Sequence, residues 1–420
     1  MAILGECQGN DVFTIGAIIF LNCLKFHEII SKLDRYRMLY LNVLKQSTIV
    51  HLCFAISYFT SGLILSLVQA VLFFSLKPFN KVLYRKINYY LSYSFYCQLV
   101  FMSEWWSGTK LSIYIKKDEY DRYYGKEHGY LIMNHSYEVD WLMGWHFCDG
   151  IKVLGNCKAY AKKSIQYLPP IGWIWKFSEF VFLERSFDKD KEIIKKQISE
   201  ICDYPDPVWL LMTPEGTRFT KKKHEASLSF AKEKNLPLLK HHLTPRTRGF
   251  TTSLQYFRGK IPAIYNIQLA FEKDSKVPPT LTSMLYGKPV HAHLYIERIP
   301  VETVPEDEAE ATKWLHDLFV VKDKMQDSFM NTGDFFQESG VERVAPFQRP
   351  KRIYSLLNTL GWAVITLTPM LYYLLGLLFS GKLLYFSIGG AILAAFYILL
   401  QKSIGMSKIS QGSSYGAEKK

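Results

Sequence analysis

The sequence predicts an α/β layered domain carried between apolar membrane segments at its two ends. Three observations predict it. Between residues 110 and 335, short apolar runs of strand length alternate with longer stretches of helical periodicity. Runs without a charged residue cover 53–76, 353–381 and 383–400. The composition, 49% hydrophobic with 27 Tyr, 28 Phe and 9 Trp, is rich for a soluble enzyme and poor for a polytopic channel.

The strands read as follows. "GYLIM" (129–133), "PVWLLMT" (207–213), "IPAIYNIQLAF" (261–271) and "VHAHLYIERI" (290–299) are short apolar runs of the buried-strand kind. Helices fall between them. "DKDKEIIKKQISEIC" (188–202) opens acidic, which suits a helix N-terminus, and "HEASLSFAKEKN" (224–235) follows. Residues 305–333 place Trp314, Leu318, Val321, Met325 and Phe329 at helical spacing, with an acidic start and Gly333 past the end.

Residues 53–76 as a helix reach about 36 Å, enough to cross a bilayer with some tilt. Lys77, Lys81, Arg85 and Lys86 follow at once, and "RPKR" (349–352) precedes the second run. Basic residues on both flanks put 77–352 on the cytosolic side. The runs at 353–381, which contains Pro369, and 383–400 form either a tight hairpin or one span with a re-entrant piece. Residues 80–107 are aromatic with a basic start, a composition for a helix in the membrane interface or for ordinary domain packing. The resulting plan is an N-terminal extension of unknown role (1–47), a membrane anchor with an interfacial helix (48–109), a cytosolic domain (110–335), C-terminal membrane segments (353–400) and a polar tail (401–420).

Lys and Arg number 51 against 38 Asp and Glu, a net charge of +13 that favours anionic partners. Membrane segments argue against nucleic acid as that partner. Seven scattered cysteines without a C-x-x-C fit a reducing compartment better than a disulfide framework.

The chemistry concentrates after two strands. In "NHSYEVDW" (134–141) His135 and Asp140 are five residues apart, a step that turns side chains about 140° apart on a continuous helix. They meet only if the chain bends between them. A strand ending near Met133, Ser136 as N-cap and a helix beginning "YEVDWLMGWHF" supply that bend. Asp140 then fixes the His135 tautomer and stabilises the imidazolium, leaving His135 as a general base. The plain alternative is a hydrogen-bonded His at a strand end and an Asp that caps a helix. "TPEGTR" (213–218) also follows a strand, on the side where α/β sheets hold ligands. There Gly216 permits close backbone approach, Thr217 offers a hydroxyl and Arg218 can grip an anionic oxygen. Glu215 either orients Arg218 or holds the loop.

These two stretches resemble the glycerolipid acyltransferases: "NHSYEVD" fits their N-H-x-x-x-x-D motif and "PEGTR" their E-G-T-R motif. "FLERSFDKD" (182–190) resembles their Arg-containing block and "LLKHHLTPRTRGF" (238–250) their Pro-containing block. "SEWWSG" (103–108), "AKKSIQYLPPIGW" (161–173), "RFTKKKHEAS" (218–227) and "GSSYG" (412–416) are similar to the eukaryotic 1-acylglycerol-3-phosphate acyltransferases of the gamma, delta and epsilon branch. The likeness runs from about residue 50 to the C-terminus.

The resemblance implies a mixed sheet flanked by helices, residence in the endoplasmic reticulum membrane or another endomembrane, and acyl transfer from acyl-CoA to the sn-2 hydroxyl of lysophosphatidic acid, giving phosphatidic acid. Under it His135 and Asp140 are catalytic, and Arg185, Glu215, Gly216, Thr217, Arg218 and Pro245 bind substrate. No cofactor is expected, since acyl-CoA is a substrate. Two rival functions stay open: the same transfer onto lysophosphatidylinositol or lysocardiolipin, and a non-catalytic membrane protein that binds lipid.

The remaining features receive plainer readings. His291 and His293 share one strand face, yet no third ligand stands at convincing spacing, so no metal is expected. "GWIWKFSEFVF" (172–182) lines an acyl groove or packs a core. Lys162–Lys163 and Lys221–Lys223 attract CoA phosphates or are solvated.

Overall fold

The protein is described by a computed structural model over residues 36, 39–184 and 187–408. Packing divides the chain into residues 1–51 and 52–420, and the sheet, its helices and both motif loops belong to the second unit. The uncharged run at 53–76 lies in α1 (Thr48–Ser75), followed by α2 (Lys81–Phe101), whose N-cap Asn80 accepts from the Leu83 amide at 2.9 Å. Then come β1 (Lys110–Tyr114), α3 (Lys117–Tyr123), β2 (Gly129–Met133), α4 (Asp140–Gly150), β3 (Cys157–Lys162), α5 (Ile171–Phe177) and β4 (Val181–Leu183). They lead into α6 (Phe187–Cys202), β5 (Trp209–Met212), α7 (Lys221–Glu233), α8 (Arg248–Phe257), β6 (Ala263–Phe271), α9 (Leu281–Leu285) and β7 (His291–Pro300). The chain closes with α10 (Glu308–Thr332), β8 (Pro346–Phe347), α11 (Tyr354–Leu378) and α12 (Leu383–Ser407).

The eight strands form one mixed sheet in the order β4-β3-β5-β2-β6-β7-β1-β8. The five from β4 to β6 are parallel; β7 runs antiparallel to β6, β1 parallel to β7, and β8 antiparallel to β1. Strand β2 lies mid-sheet, and all five of its residues are buried. Covered on both faces, it reads as a continuous apolar run and not as an alternation. Leu131 and Met133 pack on one face with α4 and α2, while Tyr130 and Ile132 pack on the other with α6, α8 and α10. The four predicted strands are present. Strands β1, β3, β4 and β8 had no counterpart in the sequence reading: β4 and β8 have three and two residues, β1 opens on Lys110, and "CKAYAK" carries two lysines.

Helix α10 confirms its sequence signals. Asp307 accepts from the Ala309 and Glu310 amides, both at 2.9 Å, and Gly333 ends the helix at φ 76°, where a side chain would be strained. The helix predicted from Tyr137, however, begins at Asp140, and Ser136 is not its cap. Residues 134–139 instead form an irregular turn held by contacts described below.

Among the described residues, three helices, α1, α11 and α12, are long and apolar enough to cross a membrane. In its most apolar window α1 is 44% buried, against 11% and 6% for α11 and α12, so the last two leave most of their apolar surface exposed. The C-terminal pair forms two helices with a short connection, and α12 continues past residue 400, through Lys402, to Ser407. Helix α11 docks on α2: Asn358 donates to the Ser94 carbonyl at 2.8 Å and Trp362 to the Ser94 hydroxyl at 2.7 Å.

Helix α2 packs on the domain through Tyr84, Phe95 and Tyr96, and leaves Val82, Leu83 and Tyr90 exposed. Its buried Arg85 bonds Glu179 at 3.0 Å, which also pairs with Lys77 at 2.7 Å and accepts from Tyr204. Burial pushes the Glu179 carboxyl up, but Lys158 and Arg85 beside it pull it down to about 2.

Candidate active site

Strands β2, β5 and β6 are mutually parallel, so the loops after them emerge at one edge of the sheet. After β2, Asn134 continues the strand's pairing with its side chain. Its amide donates to the Leu269 carbonyl at 2.9 Å and accepts from the Leu269 amide at 2.8 Å, so the backbone is released to turn. In that turn His135 Nδ1 lies 2.7 Å from Asp140 Oδ2. The His135 side chain is 21% exposed and the Asp140 side chain 1%. An ionised carboxylate only accepts, so the Nδ1 proton belongs to this bond and Nε2 is left with its lone pair. Asp140 Oδ1 is occupied by the Trp141 amide at 2.7 Å, which fixes the carboxylate at the first turn of α4.

The loop after β5 holds the same histidine by its main chain. Buried Glu215 accepts the His135 amide through Oε1 at 2.8 Å and the Leu243 amide through Oε2 at 3.0 Å. The Phe219 amide donates to the His135 carbonyl at 2.9 Å. Of the two roles the sequence left open for Glu215, the geometry shows loop holding. Lys322 lies beneath, buried and bonded to Asn266 at 3.0 Å; burial pushes its ammonium down to about 7, with Glu215 and Glu297 acting in the opposite direction.

Gly216 turns the loop at φ 69°, and a Cβ there would come within 3.1 Å of the Arg246 side chain. The Pro-containing block reaches the same place: Pro245 is buried, and the Arg246 amide donates to the Pro214 carbonyl at 2.8 Å. Sequence reasoning missed Arg246 as an individual residue, although the block that contains it was visible. Thr217 Oγ1 receives the Lys223 ammonium at 2.5 Å. Arg218 donates through Nη1 to the carbonyl of Ser407, at the end of α12. Arg185 lies outside the described residues.

An apolar slot opens beside the dyad, between the sheet and α4. Met133, Trp141, Trp145, Trp175, Phe180 and Leu211 are among its walls, so the stretch at 172–182 contributes both to a cavity and to the core. Trp141 belongs to both places, since its amide anchors Asp140 and its ring lines the slot.

An acyltransferase family model matches residues 114–250, and a model of the acyltransferase C-terminus matches 283–362. No solved structure matches the chain. Among curated proteins, it is 40% identical over 374 residues to 1-acyl-sn-glycerol-3-phosphate acyltransferase gamma of Homo sapiens, covering 89% of this chain and 96% of that one. It is 39% identical over 376 residues to the delta enzyme of Homo sapiens, with the same coverage, and 38% identical over 380 residues to that of Rattus norvegicus, covering 90% of this chain and 97% of that one. Likeness of this degree over nearly the whole length of those proteins, with the dyad assembled at the sheet edge, places the chain in the 1-acyl-sn-glycerol-3-phosphate acyltransferase family.

Proposed function

We propose that the protein transfers an acyl chain from acyl-CoA to the sn-2 hydroxyl of lysophosphatidic acid, giving phosphatidic acid, at the cytosolic face of the endoplasmic reticulum membrane. The observation that carries the chemistry is the 2.7 Å bond between His135 Nδ1 and Asp140 Oδ2, which leaves Nε2 to act on a substrate. Nε2 takes the proton of the acceptor hydroxyl as its oxygen attacks the thioester carbonyl. The tetrahedral intermediate collapses, the acyl–sulfur bond breaks, and the imidazolium returns the proton to the departing thiolate. The new ester contains the acyl–oxygen bond. No enzyme nucleophile is required, because the acceptor hydroxyl is the nucleophile.

Asp140, nearly fully buried, holds the ring and balances the imidazolium charge as it forms. The 216–218 loop, with Lys223 and Arg246 beside it, supplies the positive rim for the acceptor phosphate. The apolar slot receives part of the donor's acyl chain, which brings the thioester next to Trp141 and the dyad.

The test is purified protein with labelled acyl-CoA and a panel of lysolipids. Labelled phosphatidic acid from lysophosphatidic acid is the expected product. Preferential transfer to lysophosphatidylinositol or lysocardiolipin would replace the acceptor, and lipid binding without turnover on any acceptor would remove the enzymatic reading.

A further inference from the structure

Strand β7 begins at His291, and His293 stands two residues on, so both imidazoles project from one face of the sheet. Strand β1 runs beside them in parallel, with Lys110 opposite His291 and Ser112 opposite His293. Two hydroxyls of β1 hold the outer nitrogens of the two rings. Ser112 Oγ is 2.8 Å from His291 Nε2, and Tyr114 Oη is 2.8 Å from His293 Nδ1. The inner nitrogens converge on one carboxylate. Glu272 Oε1, just past the end of β6, lies 2.5 Å from His291 Nδ1 and 3.9 Å from His293 Nε2. His293 Nε2 is buried and has no hydrogen-bond partner.

We propose that Glu272, His291 and His293 form a binding site for one divalent transition metal of the zinc class. The donor atoms all lie within 4.8 Å of one another, and ligands of a tetrahedral zinc stand about 3.3 Å apart for bonds of about 2.0–2.1 Å. Small side-chain rotations therefore widen the short contact and close the long one. Metal-bound histidines have their second nitrogen held by an outer partner, and here Ser112 and Tyr114 already hold both.

Two imidazoles and one carboxylate select zinc, cobalt or nickel over calcium or magnesium, which take oxygen ligands. Glu272 is 50% exposed and His291 26%, so the ion has an entry path and a fourth position open to water. All three ligands lie outside the 134–140 and 213–218 loops. The ion joins the end of β6 to the start of β7. It sits one residue beyond Phe271, whose ring packs 4.8 Å from Tyr137 in the catalytic turn.

The test uses the full chain in detergent, stripped with a chelator and titrated with Co²⁺. One Co²⁺ per chain is expected, with visible d–d bands of nitrogen and oxygen ligation that Zn²⁺ displaces, and a rise in melting temperature with Zn²⁺. Glu272→Gln changes an exposed side chain and keeps its size, so it preserves the fold. It should weaken Co²⁺ by more than about tenfold, since loss of even an outer partner costs that much. His291→Gln should do the same, and Ser112→Ala should weaken binding to a lesser degree. Absence of bands and of a melting shift in the parent protein overturns the proposal. So does binding that Glu272→Gln and His291→Gln leave unchanged, which would assign the ion to another cluster, such as His241, His242, Asp323 and Asp327.

Discussion

Glu215 Oε1 accepts the main-chain N–H of His135 at 2.8 Å, so the second motif positions the proposed base of the first without touching its ring. Glutamine at 215 keeps one acceptor oxygen and turns the other into a donor, leaving one of the two amides, His135 or Leu243, facing an N–H. A buried unsatisfied donor costs about 1–3 kcal/mol. Glu215→Gln is expected to lower kcat about 10–100-fold, the range a small misplacement produces, with a lesser change in either KM. A change confined to a rise in the KM of lysophosphatidic acid would return Glu215 to direct substrate binding.

His135→Ala should lower turnover by about 10²–10⁴-fold while the protein stays folded and membrane-bound. Asp140→Asn should also be severe, because the amide cannot balance an imidazolium and can force the wrong ring tautomer. The measurement is single-turnover acyl transfer together with melting temperature. Near-normal rates in His135→Ala would end the proposed mechanism; normal rates in Asp140→Asn alone would end the dyad.

Arg218 carries two expectations because it already bonds the Ser407 carbonyl. If it grips the acceptor phosphate, Arg218→Lys raises KM for lysophosphatidic acid more than for acyl-CoA, since a point charge replaces a planar fork. Arg218→Ala should cost about 1.5–3 kcal/mol of transition-state binding. If its work is only to hold the end of α12, both substrates suffer alike and the melting temperature falls with activity. Paired KM values and melts distinguish these outcomes, and a rise for acyl-CoA alone moves Arg218 to the CoA phosphates.

Glu179 makes a pH-dependent contribution to stability. Its folded pKa, about 2, lies below the unfolded value of 4.5, so the stabilisation is complete above pH 4.5 and is lost as pH falls through about 2. Glu179→Gln removes the ion pairs to Arg85 and Lys77 and leaves buried Arg85 with Glu200 alone, a change of up to about 3–5 kcal/mol. The gap in melting temperature between parent and variant should be wide near about pH 5 and narrow on further acidification. A gap that grows towards low pH contradicts the assignment.

Protease added to sealed microsomes should cut within residues 77–352, the stretch between α1 and α11, if that stretch faces the cytosol. Protection of the whole stretch until detergent is added would falsify the orientation.

Much of this was legible in the sequence because the chemistry needs polar residues at places where a core strand would otherwise end. An imidazole and a carboxylate just after "GYLIM" could also have been a hydrogen-bonded His and a helix-capping Asp; the second motif, "TPEGTR", favoured a site, and His135 and Asp140 meet through the bend that the spacing required. Tertiary partners were what the sequence could not show. The turn that joins His135 to Asp140 depends on Asn134 bonding Leu269, 135 residues away, and on Glu215 and Phe219, not on a Ser136 cap. The carboxylate beside His291 and His293 comes from the end of β6, nineteen residues earlier, a relation created by an antiparallel register and invisible as spacing. Strands β3 and β4 lie towards one sheet edge and β1 and β8 towards the other; β4 and β8 are too short to stand out, and Lys110, Lys158 and Lys162 interrupt the apolar pattern of β1 and β3.

The bond between Arg218 and Ser407 also carries topological information that charge counting does not. If α11 and α12 both cross the bilayer, the number of crossings between residues 354 and 407 is even, and the chain returns to the leaflet it left. Contact between Ser407 and a motif loop requires that parity, because a carbonyl stranded in the opposite leaflet could not meet Arg218. A reporter fused behind α12 therefore reads out the compartment of the active site itself.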